Sequence, residues 1–192
     1  MQKMNIRIQG YRTSNLALYK DLRKAARFYG ESLLGKRMSA NISLNIKLTK
    51  YVKKNPDELG SCIPTDDSPY RQRKFQIELD LDRSEESHVL AVLAHEMVHV
   101  KQYVRNELLD LETLDLDSLR TRWKSRTYID DNTTYDDQPW EKEAFRLQDK
   151  LHQQFEESYY GKAKKKRKSR AKSTTVTGEL YDLLASCFRK LF

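Results

Sequence analysis

Two histidines and a glutamate lie within one five-residue segment of this chain. His95 and His99 are four residues apart, and Glu96 directly follows His95. Four residues of α-helix rotate the chain by about 400°, so the two imidazoles would return to one face about one turn apart. At that spacing both can bind one tetrahedral Zn²⁺, while Glu96 lies beside the metal and can take a proton from a bound water. This chemistry is that of a zinc-dependent peptide hydrolase with Glu96 as general base.

The residues around this motif predict a buried helix. Residues 89–94 are all apolar and run directly into the motif. A helix that is apolar nearly all round is a buried one, and buried imidazoles and carboxylates need partners. Ser84 is suited to cap the helix, which we predict from about Glu85 to about Glu107. The alternative is a core helix that carries two hydrogen-bonded histidines.

The spacing of apolar residues elsewhere in the chain predicts an α+β fold for residues 1–160. Residues 14–34 carry apolar residues at helical spacing, beginning with Leu16, and Gly35 follows them. Alternating apolar and polar residues predict two half-buried strands, at 40–51 and 74–82. The remaining segments are predicted as a loop over 53–69, a turn or short helix over 108–119, a strand over 120–129, and a helix from Gln138 to about Tyr160 with Pro139 at its first position.

Charge divides the chain into a body and a tail. Residues 1–160 contain 26 basic and 26 acidic residues, whereas residues 161–192 contain 10 basic and 2 acidic ones. The body, 1–160, is therefore not a nucleic-acid binder by charge. Residues 161–178 are predicted to be a disordered basic linker, in which 162–172 could contact nucleic acid or another polyanion. Residues 179–192 are predicted to form an amphipathic helix that docks on the body or engages a protein partner.

The chain lacks signals for a membrane or for export. No stretch of about 18 apolar residues is present, which predicts no transmembrane segment. The first 14 residues lack the hydrophobic run of a secretory signal. Cys62 and Cys187 are far apart and form no CxxC pair, which is typical of a reducing compartment. We therefore expect a cytoplasmic protein, located in the host cytoplasm or the virion if it is viral.

Two segments together carry a family resemblance. His-Glu-Met-Val-His-Val-Lys-Gln-Tyr (95–103), followed by Pro-Trp-Glu-Lys-Glu-Ala (139–144), resembles small SprT-like, zincin-type metallopeptidases found in tailed bacteriophages. The resemblance covers about residues 75–155. It implies a zincin-like fold, in which a small mixed sheet packs on the HExxH helix and on a second, ligand-bearing helix. Matching the zincin E-x-x-A pattern implies Glu141 as the third ligand of one Zn²⁺ ion, with Glu143 as runner-up.

The sequence offers other candidates for a metal ligand and for a second oxyanion donor. His88 precedes His95 by two helical turns, about 10 Å, which is too far to share the ion. His152 is possible in principle but is predicted to be a surface or packing residue. The candidates for the oxyanion donor are Tyr128, Tyr135 and Arg126.

The resemblance implies that the strand over 74–82 is an edge strand that pairs with an extended peptide or protein substrate. Its outward residues either favour basic peptides or form a solvent face; they are Gln76, Glu78, Asp80 and Asp82. The expected function is that of a zinc metalloendopeptidase. The alternative is a non-catalytic, virion-associated zincin-fold protein whose basic tail binds nucleic acid or a partner. Glu96 favours the enzyme, because a purely structural zinc site needs no general base.

Overall fold

A computed structural model describes residues 3–10, 16–49, 59–81, 86–111, 120–129, 134 and 137–161. The chain divides into two compact units, Met1–His152 and Gln153–Phe192. The first unit contains two sheets and the helices that accompany them, so the predicted α+β class is confirmed. Within the described segments, no helix is long and apolar enough to cross a bilayer. The basic segment 162–172 and the helix predicted over 179–192 lie outside the described residues.

The larger sheet has four strands. They are β1 (Asn5–Gly10), β2 (Ser43–Thr49), β3 (Gly60–Pro64) and β4 (Lys74–Asp80). The strand order is β1-β2-β4-β3, with β1, β2 and β4 parallel and β3 antiparallel to β4. Alternate residues of β2 and β4 enter the core, as their period of two predicts; these are Leu44, Ile46, Leu48, Phe75, Ile77 and Leu79.

Three helices are found among the described residues: α1 (Leu16–Ser39), α2 (Glu86–Val104) and α3 (139–161). The predictions of all three are confirmed within a few residues, and Gly35 interrupts α1 with a φ of 76°. The apolar stripe predicted from Leu16 is wrong at its start, because Leu16 is 75% exposed. The buried face instead follows the spacing 18, 22, 25 and 29, which is one face of a 3.6-residue helix.

The smaller sheet covers the C-terminal half of α2. Its strands are β5 (Leu108–Leu111), β6 (Arg120–Trp123) and β7 (Arg126–Ile129), paired antiparallel in that order. The single strand predicted over 120–129 is therefore a hairpin, with its turn at Lys124 (φ 55°). Helix α2 contacts α1, β3, β4 and β5, so it lies between the two sheets.

Two predictions about the larger sheet are wrong. Residues 53–69 were expected to be a loop, but β3 lies within them, because Gly60 and Pro64 are tolerated at a sheet edge. As a result β4 is an interior strand with partners on both sides, and β3 is the edge strand. Asp80, expected on a solvent face, is 1% exposed, and its amide donates to the Leu59 carbonyl at 2.9 Å. Strand β1 was not predicted.

Candidate metal centre

Three side chains converge between α2 and the first turn of α3. His95 Nε2 lies 3.0 Å from Glu141 Oε2, and His99 Nε2 lies 3.3 Å from Glu141 Oε1. One donor atom from each residue lies within 4.8 Å of the others, and all three side chains are buried. This group could hold a metal ion.

The start of α3 is anchored so that Glu141 faces α2. Trp140 is buried, with its ring 6.5 Å from that of Trp123 and 5.6 Å from that of Tyr128. Ala144, one turn beyond Glu141, is fully buried, and its small side chain allows the two helices to approach closely. The smaller sheet and the contact at Ala144 therefore position the Glu141 carboxylate.

Two glutamine side chains orient the imidazoles. His99 Nδ1 lies 2.9 Å from Gln102 Oε1, and His95 Nδ1 lies 3.0 Å from Gln148 Oε1. The Gln102 amide has a fixed orientation, because its Nε2 donates to the Trp140 carbonyl at 3.0 Å. An amide oxygen can only accept, so each Nδ1 carries the hydrogen and each Nε2 faces the centre. Such outer hydrogen bonds are what metal-binding histidines require, and the donor set therefore fits a divalent ion.

Glu143 lies outside the cluster. Its Oε2 accepts hydrogen bonds from Lys101 Nζ at 2.8 Å and from Gln102 Nε2 at 3.1 Å. Burial raises the pKa of Glu143, but the hydrogen bonds from Lys101 and Gln102 outweigh this and hold it below the ordinary value. Glu143 therefore joins α3 to α2 as an ionised partner of Lys101.

In the metal-free cluster, His99 and Glu141 carry opposite charges. Burial lowers the pKa of His99, but the hydrogen bond and charge of Glu141, together with the charge of Glu96, outweigh it and raise the pKa to about 9. Burial raises the pKa of Glu141, but its hydrogen bonds to both histidines bring it well below the ordinary value. At neutral pH the metal-free pair is therefore an imidazolium and a carboxylate.

Glu96 projects into a cavity next to the cluster. The cavity has a volume of about 210 Å³, and its lining includes Glu96, His99, Glu141 and the edge strand at Gly60 and Cys62. Glu96 itself is only 4% exposed. The Glu96 carboxylate therefore lies at the wall of the same cavity as His99 and Glu141.

Tyr103 is a cavity residue that the sequence reasoning missed. Its hydroxyl donates to Asp110 Oδ2 at 2.9 Å, and both residues line the cavity. Burial, and then the charge of Asp110, raise the pKa of the Tyr103 hydroxyl well above its usual value, so it stays protonated. The signal was available, because Tyr103 follows His99 by four residues and must share its helix face.

The three predicted oxyanion donors are placed differently. Tyr128 packs edge-on against Trp140, Arg126 is exposed, and neither lines the cavity. Tyr135 lies outside the described residues. The hairpin uses Tyr128 for packing against Trp140, and Arg126, which shares that face of the sheet through its pairing with Trp123, is exposed beside the turn.

The remaining histidines and Cys62 take no part in the cluster. His88 is exposed, and His152 Nδ1 lies 3.4 Å from the Tyr29 hydroxyl, which is a packing position. Burial, with the charges of Glu96 and Asp110, raises the pKa of the Cys62 thiol well above its usual value. Cys62 is therefore a neutral thiol and not a thiolate ligand or nucleophile.

No family model, curated protein or solved structure matches this chain. The resemblance to SprT-like zincins therefore stays a prediction. The group His95, His99 and Glu141 and the cavity beside it are the features that point to a function.

Proposed function

We propose that this protein is a zinc-dependent metallopeptidase that hydrolyses peptide bonds in a peptide or protein substrate. The observation that carries the proposal is the position of Glu96. Its buried carboxylate lies on the same helix as the two histidines and lines the same cavity as His99 and Glu141.

The donor set supports a catalytic zinc ion. Structural zinc sites are closed by four protein ligands, whereas catalytic sites have three and keep one position open. Here two imidazole nitrogens and one carboxylate converge, and among the described residues no fourth metal-ligating side chain joins them. Two imidazole nitrogens and one glutamate carboxylate are a donor set that the catalytic zinc sites of peptidases use.

The chain's own residues would divide the chemistry between them. A bound zinc ion would supply Lewis acidity, polarising the scissile carbonyl and lowering the pKa of water toward about 7. Glu96 would accept the proton of the attacking water on its carboxylate and return it to the leaving amine nitrogen. Gln102 and Gln148 keep each Nδ1 protonated, so that each Nε2 stays directed at the centre throughout.

Strand β3 is the favoured platform for an extended substrate. It is the edge strand on the cavity side, whereas β4 is interior. An edge strand offers main-chain donors and acceptors to an added strand, with specificity left to neighbouring pockets. We therefore transfer to β3 the role that the sequence alone assigned to residues 74–82.

The test is the Glu96→Gln variant. We expect it to abolish cleavage of an unfolded protein such as casein while binding one equivalent of zinc, measured by mass spectrometry of the metal. The matched control is Glu31→Gln, at an exposed position on α1, which should retain full activity. Cleavage that survives in Glu96→Gln would remove Glu96 from the chemistry. A zinc-loaded wild type that cleaves no protein would favour the non-catalytic alternative.

A further inference from the structure

The smaller sheet turns one charged side chain toward the cavity. Residues paired across antiparallel strands share a face, and Asp110 pairs with Thr121, as Leu108 pairs with Trp123. Thr121 pairs in turn with Tyr128. The same face also carries Arg126, which pairs with Trp123, but Arg126 is exposed and does not line the cavity, so Asp110 is the charged residue of this face that borders the cavity.

The Asp110 carboxylate is held in place at the cavity wall. It is exposed, its Oδ2 accepts the Tyr103 hydroxyl at 2.9 Å, and it lines the same cavity as Glu96 and Glu141. Among the described residues that line this cavity, none is a lysine or arginine. A zinc ion held by His95, His99 and Glu141 would offset the charge of Glu141, whereas Asp110 lies outside that group.

The field of Asp110 reaches across the cavity. Its charge contributes to the raised pKa values of both Tyr103 and Cys62, which line the cavity from α2 and from β3. A substrate lying along β3 would therefore pass its side chains through a negative potential. Leu108 and Trp140, which also line the cavity, offer apolar surface to the methylene stem of a long basic side chain.

We propose that Asp110 is a specificity-determining residue that selects lysine or arginine in the substrate next to the scissile bond. This inference rests on the proposed peptidase function. A cation there would pair with the exposed Asp110 carboxylate at the cavity wall, where no lysine or arginine among the lining residues competes for the pair. A glutamate at the same substrate position would be repelled, because like charges placed together are unfavourable.

The experiment uses the zinc-loaded full chain and a library of peptides made from whole-cell protein with chymotrypsin, which leaves lysine, arginine, aspartate and glutamate inside the peptides. Mass spectrometry of the newly formed ends reports every cleaved bond. We expect lysine and arginine to be enriched about tenfold over neutral residues of similar length at one position beside the bond, a ratio that corresponds to one decade in kcat/KM. A flat or acid-preferring profile from an active wild type would overturn the inference and leave the peptidase proposal standing.

Two variants distinguish a role of Asp110 in selecting the substrate from a role in positioning Tyr103. Asp110→Asn keeps an oxygen that can accept the Tyr103 hydroxyl but removes the charge, so it should cleave neutral peptides normally and lose the basic preference. Tyr103→Phe keeps the charge and should retain the preference. Loss of all activity in Asp110→Asn with unchanged melting would assign Asp110 to support of the site, against the inference. If that variant unfolds, the wild-type profile alone decides, and a wild type that cleaves nothing overturns both proposals.

Discussion

Gly60 on the edge strand lies against the carboxylate of Glu96 on α2. A Cβ atom at position 60 would be 2.6 Å from Glu96 Oε1 and 2.6 Å from Val92 Cγ1. Gly60 has no positive φ, so it is required for this close approach and not for an unusual backbone conformation. Strand β3 thus limits where the proposed general base can lie.

Gly60→Ala should therefore displace the Glu96 carboxylate, and it should also lower the stability, because the β-branched Val92 side chain cannot move away as freely as the end of Glu96. A misplacement of about 1 Å near the chemistry can cost on the order of 10²-fold in rate, and we expect a loss of that size in kcat. Zinc content should stay at one equivalent, since the ligands are untouched. Gly161→Ala is the control, because nothing lies within 4 Å of a Cβ there. Unchanged kcat in Gly60→Ala would contradict the proposed contact.

Glu141 and Glu143 should respond differently to loss of charge. Glu141→Gln removes the carboxylate that lies within 3.3 Å of both histidines, so zinc should no longer remain bound through gel filtration. Glu143→Gln should keep the metal, and its main effect should be a lower melting temperature, because Lys101 loses one ionised partner. Metal analysis of the two proteins, prepared in parallel, checks both. Retention of zinc by Glu141→Gln but not by Glu143→Gln would reverse the assignment.

The glutamines that orient the imidazoles should tune metal affinity. Replacing such outer partners typically costs 10–100-fold in affinity, and we expect this for Gln148→Ala, measured by competition with a chromogenic zinc chelator. Gln102→Ala should cost more, because Gln102 also bonds the Trp140 carbonyl and Glu143. The control is Gln153→Ala, an exposed position on the same helix as Gln148. Equal affinities for all three variants would exclude an orienting role.

The elements with a clear period could be predicted from the sequence. Regular spacing of apolar residues predicted helix α2, strands β2 and β4 and helix α3, because this spacing marks the surface that each element buries in the core. The convergence of His95 and His99 could be anticipated because the i, i+4 spacing places the two imidazoles on one face, whereas Glu141 was predicted from the resemblance to the E-x-x-A pattern. Local sequence could not show which glutamate of α3 joins the two histidines, because Glu143 also reaches α2 and is held there by Lys101 and Gln102.

The missed elements are those whose stability comes from distant neighbours. Strand β3 carries Gly60 and Pro64, which are turn signals in sequence, yet pairing with β4 and contact with α2 make it a strand. The sequence over 120–129 predicts one strand and not a hairpin, because the turn at Lys124 contains no glycine or proline. The role of β4 as substrate platform was wrong for the same reason, because strand order depends on long-range pairing.

The ionised pair of His99 and Glu141 should make the stability of the metal-free protein depend on pH. The pKa of His99 is raised from 6.5 to about 9. The stabilisation that protonated His99 gives to the folded protein is therefore fully present below about pH 6.5 and is lost as pH rises through 9. The pKa of Glu141 is lowered from 4.5, so its contribution is present above pH 4.5 and is lost as pH falls below it. Together, His99 and Glu141 stabilise the folded protein most between about pH 4.5 and 6.5.

Zinc must displace the proton held by His99, so metal binding and this titration are linked. Below about pH 9 the binding of zinc should release a proton from His99, and the apparent affinity should rise with pH until His99 is neutral. Urea midpoints of chelator-treated protein from pH 4 to 10, and calorimetry of zinc binding in two buffers of different ionisation enthalpy, measure both effects. In Glu141→Gln the fall in stability between pH 6.5 and 9 should disappear, because the partner that raises the pKa of His99 is gone. A metal-free wild type with equal midpoints at pH 6.5 and 9, and no proton release, would show that the pair is not ionised as described.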